Sequence, residues 1–119
     1  MIEVLYIGNI TDEENSNSEL DFAGKFAGAS TVSFVFTAFQ GGGSPDTCGV
    51  KVEVLHRDDP NTNPYEPVPN AVLIFSQPGA TASSIVEVPA ESLRAFGKIV
   101  LASTGTGNAL GAGSVTAVW

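Results

Sequence analysis

The two residue types best suited to nucleophilic or metal chemistry occur once each, as Cys48 and His56. A catalytic Cys–His pair needs hydrogen-bond contact and a third group that orients the base. The residues between them alternate like a strand, and eight residues of strand span more than ~20 Å. One His and one Cys also supply only half of a zinc shell. We therefore expect no catalytic residues and no zinc, and we interpret His56 as a surface group bonded to a neighbour.

The segment Asp59–Asn63 reproduces the first three ligand positions of a calcium-binding loop. Pro64 then stands where that loop requires Gly for its sharp bend, and Asn70 stands where a bidentate Glu is needed. Asx side chains that bond their own backbone explain the same residues without an ion. We predict a turn here and no metal site, with a weak adventitious Ca²⁺ left open.

Two glycine-rich segments and two pairs of adjacent acids complete the candidate chemistry. Gly105-Thr-Gly107 has Leu110 in place of the last glycine of a dinucleotide fingerprint, and no Lys-Ser/Thr pair follows Gly41–Gly43. Neighbouring carboxylates on a turn point apart and are usually solvated. These acid pairs are Asp58/Asp59 and Glu13/Glu14. We predict no cofactor and no enzymatic activity.

Charge narrows the classes of partner. The 119 residues hold 13 acids and 5 bases, for a net charge of −8. This balance disfavours nucleic acid and anionic membranes, because both are bound through clusters of Lys and Arg. The N-terminal residues lack the pattern of a signal peptide, so we expect synthesis in the cytoplasm.

The elements that must position these residues are strands. Gly and Pro number 13 and 7, which disfavours long helices, and apolar residues recur with a period of two. In the clearest strand, Thr31–Phe39, one face carries Val32, Phe34, Phe36 and Ala38. The predicted strands are Glu3–Ile7, Thr31–Phe39, Val50–Arg57, Tyr65–Val68 and Ala71–Ser76 (one interrupted strand or two), Ser84–Val88, Phe96–Ala102 and Gly113–Trp119.

The connections carry further expectations. Thr31–Phe39 and Val50–Arg57 are predicted to pair as a hairpin across a mobile loop, Gly41–Gly49. Pro67 and Pro69 place their strand at a sheet edge. The remaining connections are expected as an acidic loop over Asn9–Asn17, a strand that puts Phe22 and Phe26 on one face, a single helical turn over Pro89–Arg94 and a second glycine-rich loop over Ser103–Gly113.

Seven or eight strands without helical alternation predict one domain, residues 1–119, folded as a two-layer antiparallel β-sandwich. Jelly-roll and Ig-like connectivity both fit. Trp119 ends an alternating strand and could belong to the core, to an interface between subunits or to a carbohydrate platform. We favour the core or an interface.

The order of elements resembles that of a known family. An alternating strand (Thr31–Phe39) and a strand entering an Asp-rich turn (Val50–Val68) precede the stretch VPAESLRAFGKIVLAS, Val88–Ser103. This pattern resembles the small cement, or head-decoration, proteins of tailed bacteriophages. The matching positions are Leu93, Arg94, Phe96 and Lys98.

The resemblance implies a structural protein on the outer surface of the virion. Its partner would be the major capsid protein, whose neighbouring subunits it would clamp, and it would be a homo-oligomer, a dimer or a trimer. We expect capsid contacts from Met1–Ile10, from Gly41–Gly49 and near Trp119, because these segments look exposed. The alternative is a carbohydrate- or receptor-binding module of a phage tail or fibre.

Overall fold

In the residues that the structure describes, the protein is an all-β sandwich of nine strands in two antiparallel sheets. The computed structural model describes residues 1–11, 14–44, 48–61, 64–105 and 108–119. The strands are β1 (Ile2–Ile10), β2 (Asn15–Ser16), β3 (Leu20–Asp21), β4 (Thr31–Ser44), β5 (Gly49–Arg57), β6 (Glu66–Phe75), β7 (Ala80–Pro89), β8 (Phe96–Thr104) and β9 (Asn108–Val118). The helices are α1 (Phe22–Lys25) and a 3-10 helix (Ala90–Ser92).

The strand order identifies the sandwich as a jelly roll. Sheet I has the order β1-β9-β4-β7, and sheet II has the order β2-β8-β5-β6, with β3 also paired to β8. The antiparallel pairs nest around the β5–β6 hairpin: β4 pairs with β7, β8 with β2 and β3, and β9 with β1. Because β2 and β3 both pair with β8 and share one position, the nine described strands occupy the eight positions of a double Greek key. The prediction of an antiparallel sandwich is confirmed.

The core lies between the sheets and is built from the alternating strands. The face predicted for β4 is buried, since Val32, Phe34 and Phe36 are fully shielded from solvent. Val50, Val52 and Val54 of β5 face them from the other sheet. Burying one face of each strand is the main stabilising contribution, because apolar area removed from water contributes about 25 cal/mol per Å².

The predicted hairpin between Thr31–Phe39 and Val50–Arg57 is wrong. β4 belongs to sheet I and β5 to sheet II, so the two strands share no ladder. Each has one wholly apolar face, and stacking these faces across the core buries both. A hairpin would have placed the strands side by side in one sheet.

The two predicted glycine-rich loops are largely strand. β4 continues to Ser44 and β9 begins at Asn108, and Gly42 pairs with Leu110 beyond a register shift. Glycine is needed here for close approach, because a Cβ on Gly111 would overlap the carbonyl oxygen of Phe39. Residues 45–47 and 106–107 lie outside the described residues.

The N-terminal third differs from its predictions in two places. The expected loop Asn9–Asn17 contains the end of β1 and the short β2, which pairs with Val100 and Leu101. Phe22 and Phe26 share one face, as expected, but through α1 and not through a strand. The cause is Asp21, whose side chain accepts a hydrogen bond from the Gly24 amide at 2.9 Å and begins a helical turn.

Two other local predictions are confirmed. β6 lies at an edge of sheet II as one continuous strand, and its pairing with β5 shifts register between Pro67 and Val72, around the predicted interruption, where Asn70 has a positive φ of 64°. The predicted helical turn after Pro89 is the 3-10 helix, for which Pro89 is the preceding cap residue.

Candidate functional site

Cys48 and His56 lie at opposite ends of β5, as their spacing predicts. Both are buried, so the interpretation of His56 as a surface group is wrong. His56 has the same parity as Val52 and Val54, and that parity faces the core. Its Nδ1 accepts a hydrogen bond from the Arg94 amide at 3.1 Å. Burial is the main cause that lowers the pKa of His56, and the nearby Arg94 charge lowers it further.

The residues that carry the family resemblance organise the start of β8. Leu93 packs against the core, and Phe96 lies opposite Arg57 in the β5–β8 ladder. The Arg94 guanidinium is 2.9 Å from a Glu66 carboxylate oxygen and 3.9 Å from one of Asp58. The residues at these positions therefore pack and form ion pairs at this end of the sandwich. Their charged groups already have partners within the chain.

A polar cluster on the outer face of sheet II joins Glu19, Arg57, Tyr65 and Lys98. The Glu19 carboxylate accepts hydrogen bonds from the Tyr65 hydroxyl and from Arg57 Nε, the latter at 2.8 Å. The Arg57 guanidinium lies 4.1 Å from the centre of the Tyr65 ring, and the Lys98 ammonium 5.4 Å. The hydrogen bond from Tyr65 lowers the pKa of Glu19, whereas burial and the bond to Glu19 raise the pKa of Tyr65 to about 12.

All five cationic side chains have partners within the chain. Besides Arg57, Arg94 and Lys98, Lys25 lies 2.6 Å from a Glu3 oxygen and Lys51 lies 3.5 Å from one of Glu53. The five positive charges are therefore engaged within the chain. The remaining net charge of the protein is negative.

The calcium-like segment forms an Asx turn in its described part. Asp59 accepts a hydrogen bond from the Asn61 amide at 2.8 Å, as predicted for an Asx turn. Residues 62 and 63 lie outside the described residues. Across the described ranges of the chain, no group of three or more His, Cys, Asp or Glu residues could hold a metal.

The most distinctive surface is the outer face of sheet I, which we call the apolar face. Its cross-strand rows, read from the ladder registers, place large apolar side chains on all four strands. Those that are well exposed are Ile2, Val4, Ile7, Phe39, Ile85 and Leu110. Hydroxyl side chains fill about half of the remaining positions, and Glu87 is the one charged residue in the described rows.

The centre of the apolar face is a shallow groove of about 260 Å³. Ile7, Phe39 and Ala112 supply its apolar lining, beside Thr37 and Ser114. The two hydroxyl oxygens are hydrogen-bonded to each other at 2.5 Å, so each already has one partner within the chain. The groove therefore presents an apolar surface in a chain that is otherwise strongly acidic.

The apolar face was not predicted from the sequence, although apolar residues at outward strand positions indicate it. Val35 lies between Ser33 and Thr37 at the same parity of its strand, and Ile85 lies between Ser83 and Glu87. An apolar residue at an outward position is exposed by alternation. An apolar residue at the outward parity of several strands is therefore a sign of an interface.

The segments expected to contact a capsid lie in different environments. The side chains of Ile2, Val4 and Ile7 in β1 are exposed on the apolar face. In contrast, Cys48, which lies within Gly41–Gly49, is buried. Trp119 is half-buried and packs edge-on against Phe26, with ring centres 5.0 Å apart. This contact agrees with the preference for a core or interface position over a carbohydrate platform.

The chain matches no protein-family model, and no similar sequence was found among curated proteins. Its class is defined by its fold, a jelly-roll sandwich with one charge-poor outer face. In the part of the chain that the structure describes, no helix is long and apolar enough to cross a membrane.

Proposed function

We propose that this protein is a capsid decoration protein, which attaches to the outer surface of a tailed-phage head and binds across neighbouring major capsid subunits. The observation that carries the proposal is the apolar face. Among the described residues, six well-exposed large apolar side chains share it with a single charge, in a chain of net charge −8. Exposed apolar surfaces of this kind mark protein interfaces.

The size of the face suits the role. Four strands about 4.8 Å apart and about 30 Å long cover roughly 600 Å². A standard interface removes about 800 Å² from each partner. The face therefore accounts for most of one interface, and a homo-oligomer presenting several faces would gain affinity through simultaneous attachment.

The charge of the chain supports a role on the outside of the head, away from the packaged DNA. All cationic side chains have partners within the chain. A protein of this charge is repelled by packaged DNA. Jelly rolls are used by viral capsid and lectin domains alike, so the fold agrees with the proposal but does not select it over a glycan-binding module.

The test is reconstitution on heads that lack the protein. Ile7→Asp places a charge in the groove and is expected to weaken co-sedimentation with expanded heads about tenfold or more. Ile74→Asp is the matched control, because Ile74 is similarly exposed but lies on sheet II. The control is expected to bind like the unmodified chain.

Copy number supplies an independent test. Quantitative mass spectrometry of purified particles should give a simple ratio of this chain to the major capsid protein. A handful of copies, or equal binding of both Asp variants, would contradict the proposal. Binding on a glycan array without binding to heads would favour the alternative module.

A further inference from the structure

The four sheet edges of the sandwich differ in how they are protected against pairing with another chain. β1 has a register shift between Val4 and Tyr6. β6 carries Pro67, Pro69 and the left-handed Asn70. At the remaining edge of sheet II, β2 and β3 have two residues each. Bulges, prolines and very short strands are the usual means by which natural sheets prevent edge pairing.

β7 has none of these protections along most of its length. It pairs with β4 through ten consecutive residue pairs without a register shift, and it is the last strand of sheet I. Its sequence, ATASSIVEVP, contains no Lys or Arg, one acid at Glu87 and a proline only at its last position. A long, regular strand of this composition is a template for a further strand.

We infer that β7 pairs antiparallel with β7 of a second copy and joins the two sheets I into one eight-stranded sheet. This interface deepens the proposed function, since it rests on the homo-oligomer named there, but it does not depend on the capsid partner. An antiparallel pair of identical strands has two-fold symmetry, which closes after two copies.

Strand geometry selects the register. Facing residues must have the same parity, so that side chains from both strands point to the same side of the sheet. For Ala80–Pro89 this places the two-fold axis at Ser84 or at Ile85. An axis at Ile85 would bring Pro89 into the ladder, where it has no amide to donate. An axis at Ser84 pairs Ala80 to Val88 in full and leaves Pro89 outside.

The strand is complementary to itself in this register. On the core side, Ala80 faces Val88 of the second copy and Ala82 faces Val86, so a small side chain meets a larger one at each step. On the outer side, Glu87 faces Thr81, and no like charges are opposed. A strand that fits a copy of itself favours a second copy over an unrelated partner.

The consequence is a continuous, doubled apolar face. Ile85 is 71% exposed in the single chain and would lie beside the axis, next to Ser83 of the second copy. The two apolar faces then lie on the same side of one sheet. Such a dimer attaches to a lattice at two points.

The first test is the mass in solution together with a cysteine scan. Light scattering after size exclusion should give twice 12.3 kDa. Ser84→Cys should form a disulfide between copies under mild oxidation, because facing Cα atoms about 5 Å apart permit one. Thr81→Cys is the matched control on the same strand. Its two introduced thiols, one in each copy, would be about 20 Å apart in this register and should not cross-link.

A second test opposes like charges at the axis. The double variant Ser83→Lys/Ile85→Lys should raise the dimer dissociation constant about tenfold or more, whereas Ile74→Lys on sheet II should leave it unchanged. Circular dichroism checks that both variants fold. A monomer, a trimer or equal cross-linking of Ser84→Cys and Thr81→Cys would overturn the inference. A β7 dimer that fails to bind heads would overturn only the capsid function, and a monomer that binds heads would overturn only this interface.

Discussion

At the scale of single residues, His56 makes stability depend on pH in the mildly acidic range. Its imidazole is buried and accepts the Arg94 amide, while Asp58, Glu66 and the Arg94 guanidinium are the charged groups around it. The pKa of His56 is lowered from 6.5 in the folded state, so the unfolded chain binds the proton more strongly. Its contribution to stability is complete above pH 6.5 and is lost as the pH falls below that value towards the lowered pKa.

We predict that the melting temperature decreases between about pH 7 and 5, and that this decrease is smaller in His56→Gln. Glutamine retains a neutral acceptor but does not titrate in this range. Differential scanning calorimetry of both chains at several pH values measures the effect. Parallel pH profiles of the two proteins would show that the buried imidazole is not its source.

Tyr65 should act at the other end of the pH scale. Its pKa is raised from 10.0 to about 12, so folding favours the protonated phenol. Its contribution to stability is complete below pH 10 and is lost as the pH rises towards 12. The difference in phenolate absorbance between the unmodified chain and Tyr65→Phe isolates this one group. We expect a midpoint about two pH units above that of free tyrosine, and a midpoint near 10 would contradict the packing seen around Glu19.

At the scale of elements, the short α1 depends on one cap. The Asp21 carboxylate accepts the Gly24 amide and starts the turn that brings the rings of Phe22 and Phe26 to 5.2 Å from each other. We predict that Asp21→Ala lowers the free energy of unfolding by about 1 kcal/mol, measured by urea denaturation. Asp21→Asn retains a side-chain acceptor and should recover most of the loss. Equal effects of the two substitutions would argue against the capping role.

The glycine content of a segment does not distinguish a loop from a strand in this protein. The clusters around Gly42 and Gly111 resemble loops because glycine is common in loops. In the folded chain they are strand segments, and the Gly111 Cα lies against the Phe39 carbonyl, where a side chain has no room. Whether a glycine lies in a loop or allows two strands to approach closely depends on the strand beside it. That strand is far away in the sequence.

At the scale of the whole molecule, the unbalanced negative charge should oppose folding at low ionic strength. All five cations are already partnered, so the remaining acids repel one another. We predict that the melting temperature rises when NaCl is added, because salt screens exposed charges. Glu14→Gln/Glu91→Gln changes the net charge from −8 to −6 and should reduce this response. A melting temperature that falls with salt would show that the surface ion pairs outweigh the repulsion.

Alternation along the chain is enough to predict the class of fold and the inner faces of the main strands. A period of two in β4 and β5 has one physical solution, in which the apolar parity is buried and the other parity is exposed. The prolines in β6 also predict its place at an edge, since proline lacks a ladder donor. The separation of Cys48 from His56 followed from strand length alone.

Which strands are neighbours is visible only in the folded chain. Pairing across long sequence separations selected the jelly roll over an Ig-like sandwich, buried His56 beneath Arg94 and brought Ile7, Phe39 and Ile85 onto one surface. Alternation specifies which side of its own strand a residue takes, but not which strand lies beside it. The apolar face and the unprotected β7 edge both depend on which strands are neighbours. They arise only when the two sheets have formed.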